Sequence, residues 1–163
     1  MIRQPLARAA TLAAAVAMLW TASTGMAAEE RVHFPPVGPR PDGVPATARA
    51  PFSSAVLAGD TLYLAGVLDL DPATRKPGNS HEESARLVME ALKASVEAAG
   101  LAMDDLVWVQ VFATDLESFD AFGRVYQAYF EGPLPARAFV GVAGLMGGAR
   151  FEVNGIAVRA KRN

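Results

Sequence analysis

Arg137 is the first residue whose type and position could support chemistry. It follows Pro135-Ala136 and directly precedes the apolar run Ala138-Phe139-Val140. The planar guanidinium of an arginine at the end of a strand can bind a carboxylate through two parallel hydrogen bonds. The same pattern also fits a solvated arginine on the protein surface, so the sequence leaves both interpretations open.

Glu152 is the second candidate, because it lies inside the otherwise apolar segment Arg150–Val158. A carboxylate in such a segment needs a partner, or it serves as a general acid or base. Two simpler interpretations stay open. Glu152 could be an exposed acid on an edge strand, or it could form an ion pair with Arg137 or Arg150.

Other reactive groups are scarce. The chain has no cysteine and two histidines, His33 and His81, which lie far apart in the sequence. Thiolate sites are therefore excluded and a histidine-built metal site is not expected. The glycine-rich segment Gly141–Gly148 lacks the Lys-Ser/Thr of a phosphate loop and is interpreted as a strand connection. Asp69-Leu70-Asp71 is interpreted as a turn. These patterns predict no metal site.

Length and charge narrow the class of protein. The chain has 163 residues, of which 52% are hydrophobic and 20% charged, as expected for one folded domain with an appendage. Fifteen basic and 17 acidic residues give a net charge of −2. No basic excess exists to hold a phosphate backbone, so nucleic acid is not an expected partner.

Residues 1–28 have the three-part pattern of a secretory signal peptide. Arg3 and Arg8 precede an uncharged apolar run, and Gly25 and Ala27 provide small residues for cleavage. The run is too short to span a bilayer at about 20 residues per helix. We therefore expect a periplasmic or secreted protein with no stable membrane insertion after cleavage. Losing two basic residues and no acid would leave a net charge of −4.

The rest of the chain divides into residues 29–49 and 50–163. The first part contains five prolines and is predicted to be an extended arm that forms neither a helix nor a central strand. The second part is the predicted domain. Its predicted strands are Phe52–Val56, Thr61–Val67, Leu106–Ala113, Ala138–Val142 and Arg150–Ala160. One predicted helix opens at Ser80 and ends before Gly100, and another runs from Asp115 to about Phe130.

This order, ββαβαββ, predicts an α+β fold in which two amphipathic helices cover one face of a small mixed sheet. In the third strand, Leu106, Trp108 and Phe112 are expected on one face, and Val107 with Val109 on the other. Both faces are apolar, yet the helices cover only one. An uncovered apolar sheet face predicts symmetric self-association.

From Pro51 to Val158, the chain resembles the Rid (YjgF) family of reactive-intermediate imine and enamine deaminases, and in particular its RidA-like members. The matching segments are Pro51–Val56, Leu64–Pro72, Val96–Gly100, Val111–Phe119, Pro135-Ala136-Arg137 and Phe151-Glu152-Val153. The resemblance implies a chorismate-mutase-like fold, a homotrimer with active sites between subunits, and no cofactor.

The resemblance also implies roles for individual residues. Arg137 would bind the carboxylate of a 2-imino acid, such as one derived from 2-aminoacrylate. Glu152 would serve the water that attacks the imine carbon, giving a 2-keto acid and ammonia. Gly66 matches a glycine that lines the pocket. The partners implied are thus a small imino or keto acid and further copies of the chain.

The sequence departs from the family pattern at pocket positions. Family deaminases have Tyr where Phe52 stands, Ser where Ala65 stands and Asn where Gly123 stands, and many have an acid in place of Asn154. Each change removes a hydrogen-bonding or charged group near the expected substrate. A larger or more apolar imine would suit Phe52 and Ala65 better. The alternatives are a non-catalytic trimer that binds small carboxylates or proteins in the same clefts, and hydrolysis of another C–N bond.

Overall fold

The computed structural model describes residues 30–36 and 51–160, and six strands and two helices lie within these ranges. The strands are β1 (Arg31–Phe34), β2 (Ala55–Ala58), β3 (Thr61–Leu68), β4 (Leu106–Ala113), β5 (Ala136–Gly141) and β6 (Phe151–Val158). The helices are α1 (His81–Ala98) and α2 (Phe119–Gln127). The predicted signal peptide lies outside the described residues, as do residues 37–50 of the arm and domain start. Within the described ranges, no helix is both long and apolar enough to cross a membrane.

All six strands form one mixed sheet in the order β1-β2-β3-β6-β4-β5. The β4–β5 pair is parallel and the other pairs are antiparallel. Both helices pack on the same face, where Val88 and Leu92 of α1 meet Val109, Val111 and other residues of the sheet. The predicted α+β architecture is confirmed, and the last strand, β6, lies in the middle of the sheet.

The arm contributes a strand that the sequence prediction did not include. Arg31–Phe34 pairs antiparallel with β2 at the edge of the sheet. An edge strand needs a partner on one side only, so four residues ahead of Pro35-Pro36 suffice. The first domain strand starts at Ala55 rather than Phe52, which leaves Phe52 in a bend before β2.

Helix α1 begins largely as predicted. The side chain of Ser80 accepts a hydrogen bond from the amide of Glu83 at 3.1 Å. The Glu83 carboxylate reaches back to the amide of Asn79 at 2.7 Å, one residue before the predicted partner. Beyond the helix, Gly100 adopts the left-handed conformation with φ of 73°, which a side chain would disfavour.

Helix α2 is shorter than predicted. The Asp115 side chain accepts from the amide of Glu117, but it caps a separate 3-10 turn, Leu116–Ser118. The α-helix follows at Phe119 and ends at Gln127. Phe122 and Tyr126 are buried against the sheet as expected, whereas Leu116 is exposed.

The predicted bounds of β4 are confirmed, but the predicted faces of its first two residues are wrong. Leu106 is buried in the core and Val107 is 49% exposed. The pairing with β6 shifts register between Leu106 and Trp108. A bulge of this kind exchanges the faces of the residues on its two sides.

The face of the sheet opposite the helices carries apolar side chains, and no other element of the described residues covers it. Cross-strand pairs place Tyr63, Ile156 and Trp108 side by side across β3, β6 and β4. Tyr63 is 52% exposed, and Val140 on β5 is also exposed. The predicted uncovered apolar face is therefore present, and we call it the open face.

Candidate functional site

Glu152 lies on the open face of the central strand β6. Its neighbours Phe151 and Val153 are fully buried on the helix face, so the intervening side chain points the other way. Leu68 of β3 and Phe112 of β4 flank it in register. Glu152 is therefore not an edge-strand acid. Within the described residues it also forms no ion pair with Arg137 or Arg150.

A bulge in β3 lies beside Glu152. Leu64 pairs with Gly155 and Val67 pairs with Val153, so Ala65 and Gly66 together oppose the single residue Asn154. Such bulges re-aim the backbone locally and recur next to active sites. The side-chain oxygen of Asn154 is buried and has no hydrogen-bond partner within the described part of the chain.

Gly66 is held against the Glu152 carboxylate by this bulge. A Cβ atom added at Gly66 would overlap a carboxylate oxygen of Glu152 and lie 2.8 Å from its Cδ and 3.0 Å from its Cγ. Only glycine therefore leaves room for the carboxylate where it now stands. The strand pairing thus explains why residue 66 is a glycine. The sequence pattern alone did not give this reason.

Ala65 belongs to the bulge, and the chain just after Phe52 is bonded to it through Ser54. The amide of Ala65 donates to the carbonyl of Ser54 at 2.9 Å, and the amide of Ser54 donates to Phe34 at 2.9 Å. Phe52, two residues before Ser54, is 58% exposed. We call Glu152, Gly66, Ala65 and Phe52 the glutamate half-site.

Asp69 supports this half-site. The sequence predicted only a turn at this residue. Its side chain is fully buried, and one oxygen accepts from the amides of Arg150 at 2.9 Å and Phe151 at 3.1 Å. The other oxygen has no partner among the described residues. Asp69 thus fixes the start of β6 directly before Glu152. Asp71 does lie in a turn as predicted, because its side chain accepts hydrogen bonds from the amides of Ala73 and Thr74.

Arg137 lies on the other face of the sheet, among aromatic rings of α2. It is the second residue of β5 and not the residue before the strand. Its guanidinium carbon lies 4.7 Å from the ring centroid of Tyr126, 5.3 Å from that of Phe119 and 5.9 Å from that of Phe122. Cation–π contacts of this kind hold a guanidinium in place without neutralising it.

The ring beneath Arg137 stays uncharged. Burial raises the pKa of Tyr126 to about 12, although the Arg137 charge acts in the opposite direction. No carboxylate forms an ion pair with Arg137 within the described residues. The guanidinium is half-buried, fixed and available to an anion, which favours the carboxylate-binding interpretation over a freely solvated arginine.

Gly123 lies on the same side as Arg137. It is one helical turn from Phe119 and three residues before Tyr126, so all three share a face of α2. Gly123 is buried, yet a Cβ atom added there would meet nothing within 4 Å. We call Arg137, Phe119, Phe139, Tyr126 and Gly123 the arginine half-site.

One chain does not bring the two half-sites together. Arg137 pairs with Val109 of β4 and Glu152 pairs with Phe112. Three residues along β4 and two strand spacings separate them, each about 10 Å, and their side chains leave opposite faces. The ion pair between Arg137 and Glu152 that the sequence left open is therefore absent within a chain. Both groups can serve one ligand only if two copies contribute.

No metal-binding group is evident within residues 30–36 and 51–160. No three His, Cys, Asp or Glu side chains there are grouped closely enough to hold an ion. The two described histidines have other partners, because His33 contacts Ser53 at 3.1 Å and His81 lies 3.6 Å from Asp115.

Comparison with known proteins gives consistent relatives. The family model for endoribonuclease L-PSP matches residues 44–159. A 2-iminobutanoate/2-iminopropanoate deaminase of Dermatophagoides farinae is 36% identical over 131 residues, which cover 79% of this chain and 96% of the relative. Protein DfrA of Myxococcus xanthus is 42% identical over 115 residues, which cover 68% of this chain and 87% of that protein.

Solved structures agree with the sequence relatives. The YjgF gene product of E. coli matches with a TM-score of 0.65 at 34% identity, covering 69% of this chain and 91% of that one. E. coli TdcF, solved with bound serine, matches with the same score, identity and coverage. The fold, the extent of the match and the level of identity show that this chain belongs to the endoribonuclease L-PSP family, which includes YjgF and RidA-like deaminases.

Proposed function

We propose that this protein hydrolyses 2-imino acids to 2-keto acids and ammonia at sites completed between copies of the chain. The observation that carries the proposal is the pair of half-sites on opposite faces of one sheet. One holds a guanidinium without an acidic partner, and the other holds the Glu152 carboxylate against Gly66. The relatives named 2-iminobutanoate/2-iminopropanoate deaminase support the substrate class.

The same geometry supports self-association of the chain. The open face, with Tyr63, Trp108 and Ile156 at its centre, would expose apolar area in a single chain. We propose a homotrimer in which the open faces turn toward one another and the edge strand β5 of one copy, which carries Arg137, meets the open face of the next copy at Glu152. A closed cyclic assembly repeats one such interface at each junction, so every site would have the same composition.

The proposed reaction uses the two groups in sequence. Arg137 holds the substrate carboxylate, which places the C=N carbon near a water molecule bound by Glu152. Glu152 takes a proton from this water as its oxygen bonds to the imine carbon, and the C=N π electrons move to nitrogen, which takes up a proton. The resulting carbinolamine loses ammonia when its hydroxyl proton passes to the nitrogen through Glu152, its C–N bond breaks and a C=O bond forms. Water and imine are consumed, and one keto acid and one ammonia are produced.

Subunit complementation tests this arrangement. Arg137→Ala and Glu152→Gln chains are each expected to lose activity, the latter by about 10²- to 10⁴-fold in kcat. Random co-assembly of equal amounts would give each site one chance in four of having both intact groups. Activity should then return to about a quarter of the wild-type value. Mixtures that stay inactive in verified mixed oligomers would contradict the shared site. Glu97→Gln, an exposed acid on α1, is the matched control.

A second candidate is a non-catalytic trimer that binds small carboxylates or proteins in the same clefts. Phe52, Ala65 and Gly123 favour it, because none supplies a side-chain hydrogen bond to a reacting group. The two candidates differ in turnover. Carboxylate binding that Arg137→Ala abolishes, without decay of any imine, would select the binding function.

A wider panel separates the remaining alternatives. It contains enamines and carbamate-like compounds, for hydrolysis of another C–N bond, and an RNA, because the family model is described as an endoribonuclease. The negative net charge argues against RNA as a partner. We expect imine turnover that Glu152→Gln abolishes and no cleavage of RNA.

We also propose export to the periplasm or secretion, with residues 1–28 as the signal peptide. The support is the sequence pattern alone. Fractionation of cells expressing the full chain, with mass measurement of the N-terminus, tests it. A protein that keeps its first 28 residues inside the cytoplasm would contradict the proposal.

A further inference from the structure

We infer that the site takes 2-imino acids with a bulky apolar side chain, aromatic or branched, and seats that side chain on the aromatic surface beside Arg137 in the space at Gly123. The inference rests on the proposed function for the chemistry of the substrate. It goes further by naming the kind of side chain and the residues that select it.

Gly123 supplies the space. It is buried within α2, but the position of its missing Cβ has no neighbour within 4 Å. Its backbone is helical and not left-handed, so the conformation does not require glycine. A glycine inside a helix lowers stability relative to alanine. Here the glycine leaves a gap on the side of α2 that carries Phe119 and Tyr126, the rings that contact Arg137. A ligand can use this gap.

Aromatic rings lie beside Arg137 on the side of α2 that carries Gly123. Phe119 and Phe139 meet edge to face with centroids 5.2 Å apart. Phe119 is 47% exposed even though it lies directly under the Arg137 guanidinium. A substrate whose carboxylate binds Arg137 therefore has its next atoms beside these rings. Covering exposed aromatic surface favours an apolar side chain over a hydrogen or a methyl group.

The surface beside Phe52 is also largely apolar. A groove of about 770 Å³ beside Phe52 is lined by Phe34, Pro35, Pro36 and Pro51 as well. Its polar side chains, His33 and Ser53, are hydrogen-bonded to each other at 3.1 Å. Within the arginine half-site as defined, the side-chain donors are Arg137 and the buried Tyr126 hydroxyl, so most of the surface beside a bound carboxylate is apolar.

Keto acids, as stable products, test the preference without turnover. Calorimetric titration should show phenylpyruvate binding about tenfold more tightly than pyruvate. Gly123→Leu fills the space and should bring this ratio close to one. Gly123→Ala should lower it partly while raising the melting temperature, because alanine favours the helix. Gly144→Ala, at a loop glycine that also has nothing within 4 Å, should leave the ratio unchanged.

The outcomes separate the two proposals. Equal affinity for both keto acids, or a ratio that Gly123→Leu and Gly123→Ala leave unchanged, would overturn the side-chain inference. If 2-iminopropanoate is still hydrolysed in a Glu152-dependent way, the proposed reaction would stand. A tenfold preference that depends on Gly123, in a protein that hydrolyses no imine, would support the pocket and overturn the reaction.

Discussion

The two half-sites are built by different means, although only β4 lies between their strands. Packing fixes the arginine half-site, because Arg137 rests on three aromatic rings and its position depends on α2. Backbone geometry fixes the glutamate half-site, because a bulge brings Gly66 against Glu152 and Asp69 holds the start of β6. We therefore expect the arginine half-site to be more sensitive to changes of side-chain volume than to changes of the backbone. The glutamate half-site should be more sensitive to changes of the backbone.

The largest effect is expected from removing the guanidinium that we propose binds the substrate carboxylate. Arg137→Ala should lower kcat/KM for a 2-imino acid by about 10³-fold, because two charge-assisted hydrogen bonds to the carboxylate are lost. Arg137→Lys should recover only part of the loss, because an ammonium lacks the planar fork and the ring stacking. Steady-state kinetics of both variants measure this effect.

The control for this change is Arg86→Ala, at an exposed arginine on α1. It should retain wild-type kinetics. Near-normal kcat/KM in Arg137→Ala would remove the arginine half-site from the reaction and leave Glu152 without its proposed partner.

A smaller loss is expected when the bulge can no longer accommodate the carboxylate. Gly66→Ala places a methyl group where Glu152 now lies, so the carboxylate must move. Misplacement of a reacting group by about 1 Å can cost up to about 10²-fold in rate. We expect a drop of about 10- to 100-fold in kcat with little change in melting temperature, since Gly66 does not have a positive φ.

The double variant sharpens this comparison. If Gly66→Ala acts only through the carboxylate, it should cost far less in a Glu152→Gln background than in the wild type. Additive losses would show that the glycine has a separate role. Gly144→Ala, at a loop glycine with open space around it, serves as the control.

Asp69 separates stability from activity in the glutamate half-site. Asp69→Ala would leave the amides of Arg150 and Phe151 without an acceptor in a buried setting. An unsatisfied buried group costs about 1–3 kcal/mol, so denaturant unfolding should show a loss of about 3 kcal/mol. Asp69→Asn keeps one acceptor oxygen and should lose less. Equal free energies of unfolding for Asp69→Ala and the wild type would contradict a stabilising role for these two hydrogen bonds.

The order of elements could be predicted from the sequence because it depends on local patterns. The apolar spacing that precedes Gly100 and the β-rich run Leu106–Ala113 each indicate their own element. The faces of Leu106 and Val107 could not be predicted, because the bulge there arises from pairing with β6, which lies far along the chain. The strand Arg31–Phe34 was not predicted because Pro35 and Pro36 follow it directly and because its formation depends on pairing with the distant strand β2.

The candidate site shows the same limit. Arg137 and Glu152 stood out by type and context, and Gly66 by resemblance to a family. Their placement on opposite faces requires the order β6-β4-β5, which local spacing does not contain. The roles of Gly66 and Asp69 as neighbours of β6 depend on contacts between β3 and β6 and could not be read from either segment alone.

The smallest effect concerns the ring beneath Arg137 and appears only at high pH. Burial raises the pKa of Tyr126 from 10.0 to about 12 in the folded protein. The folded state thus favours the protonated phenol, so this contribution to stability is complete below pH 10 and is lost as the pH rises from about 10 to 12. Tyr126→Phe cannot ionise, and it removes a buried hydroxyl without a partner among the described residues.

Unfolding by denaturant near neutrality and at about pH 11 isolates this difference. Between the two pH values, the free energy of unfolding of Tyr126→Phe should fall by about 1 kcal/mol less than that of the wild type. Tyr129, whose pKa burial also raises to about 12, is present in both proteins and cancels. Identical losses would mean that Tyr126 ionises as readily folded as unfolded. The guanidinium would then lie above a phenolate at high pH, and the arginine half-site would lose its free positive charge before the rest of the fold is affected.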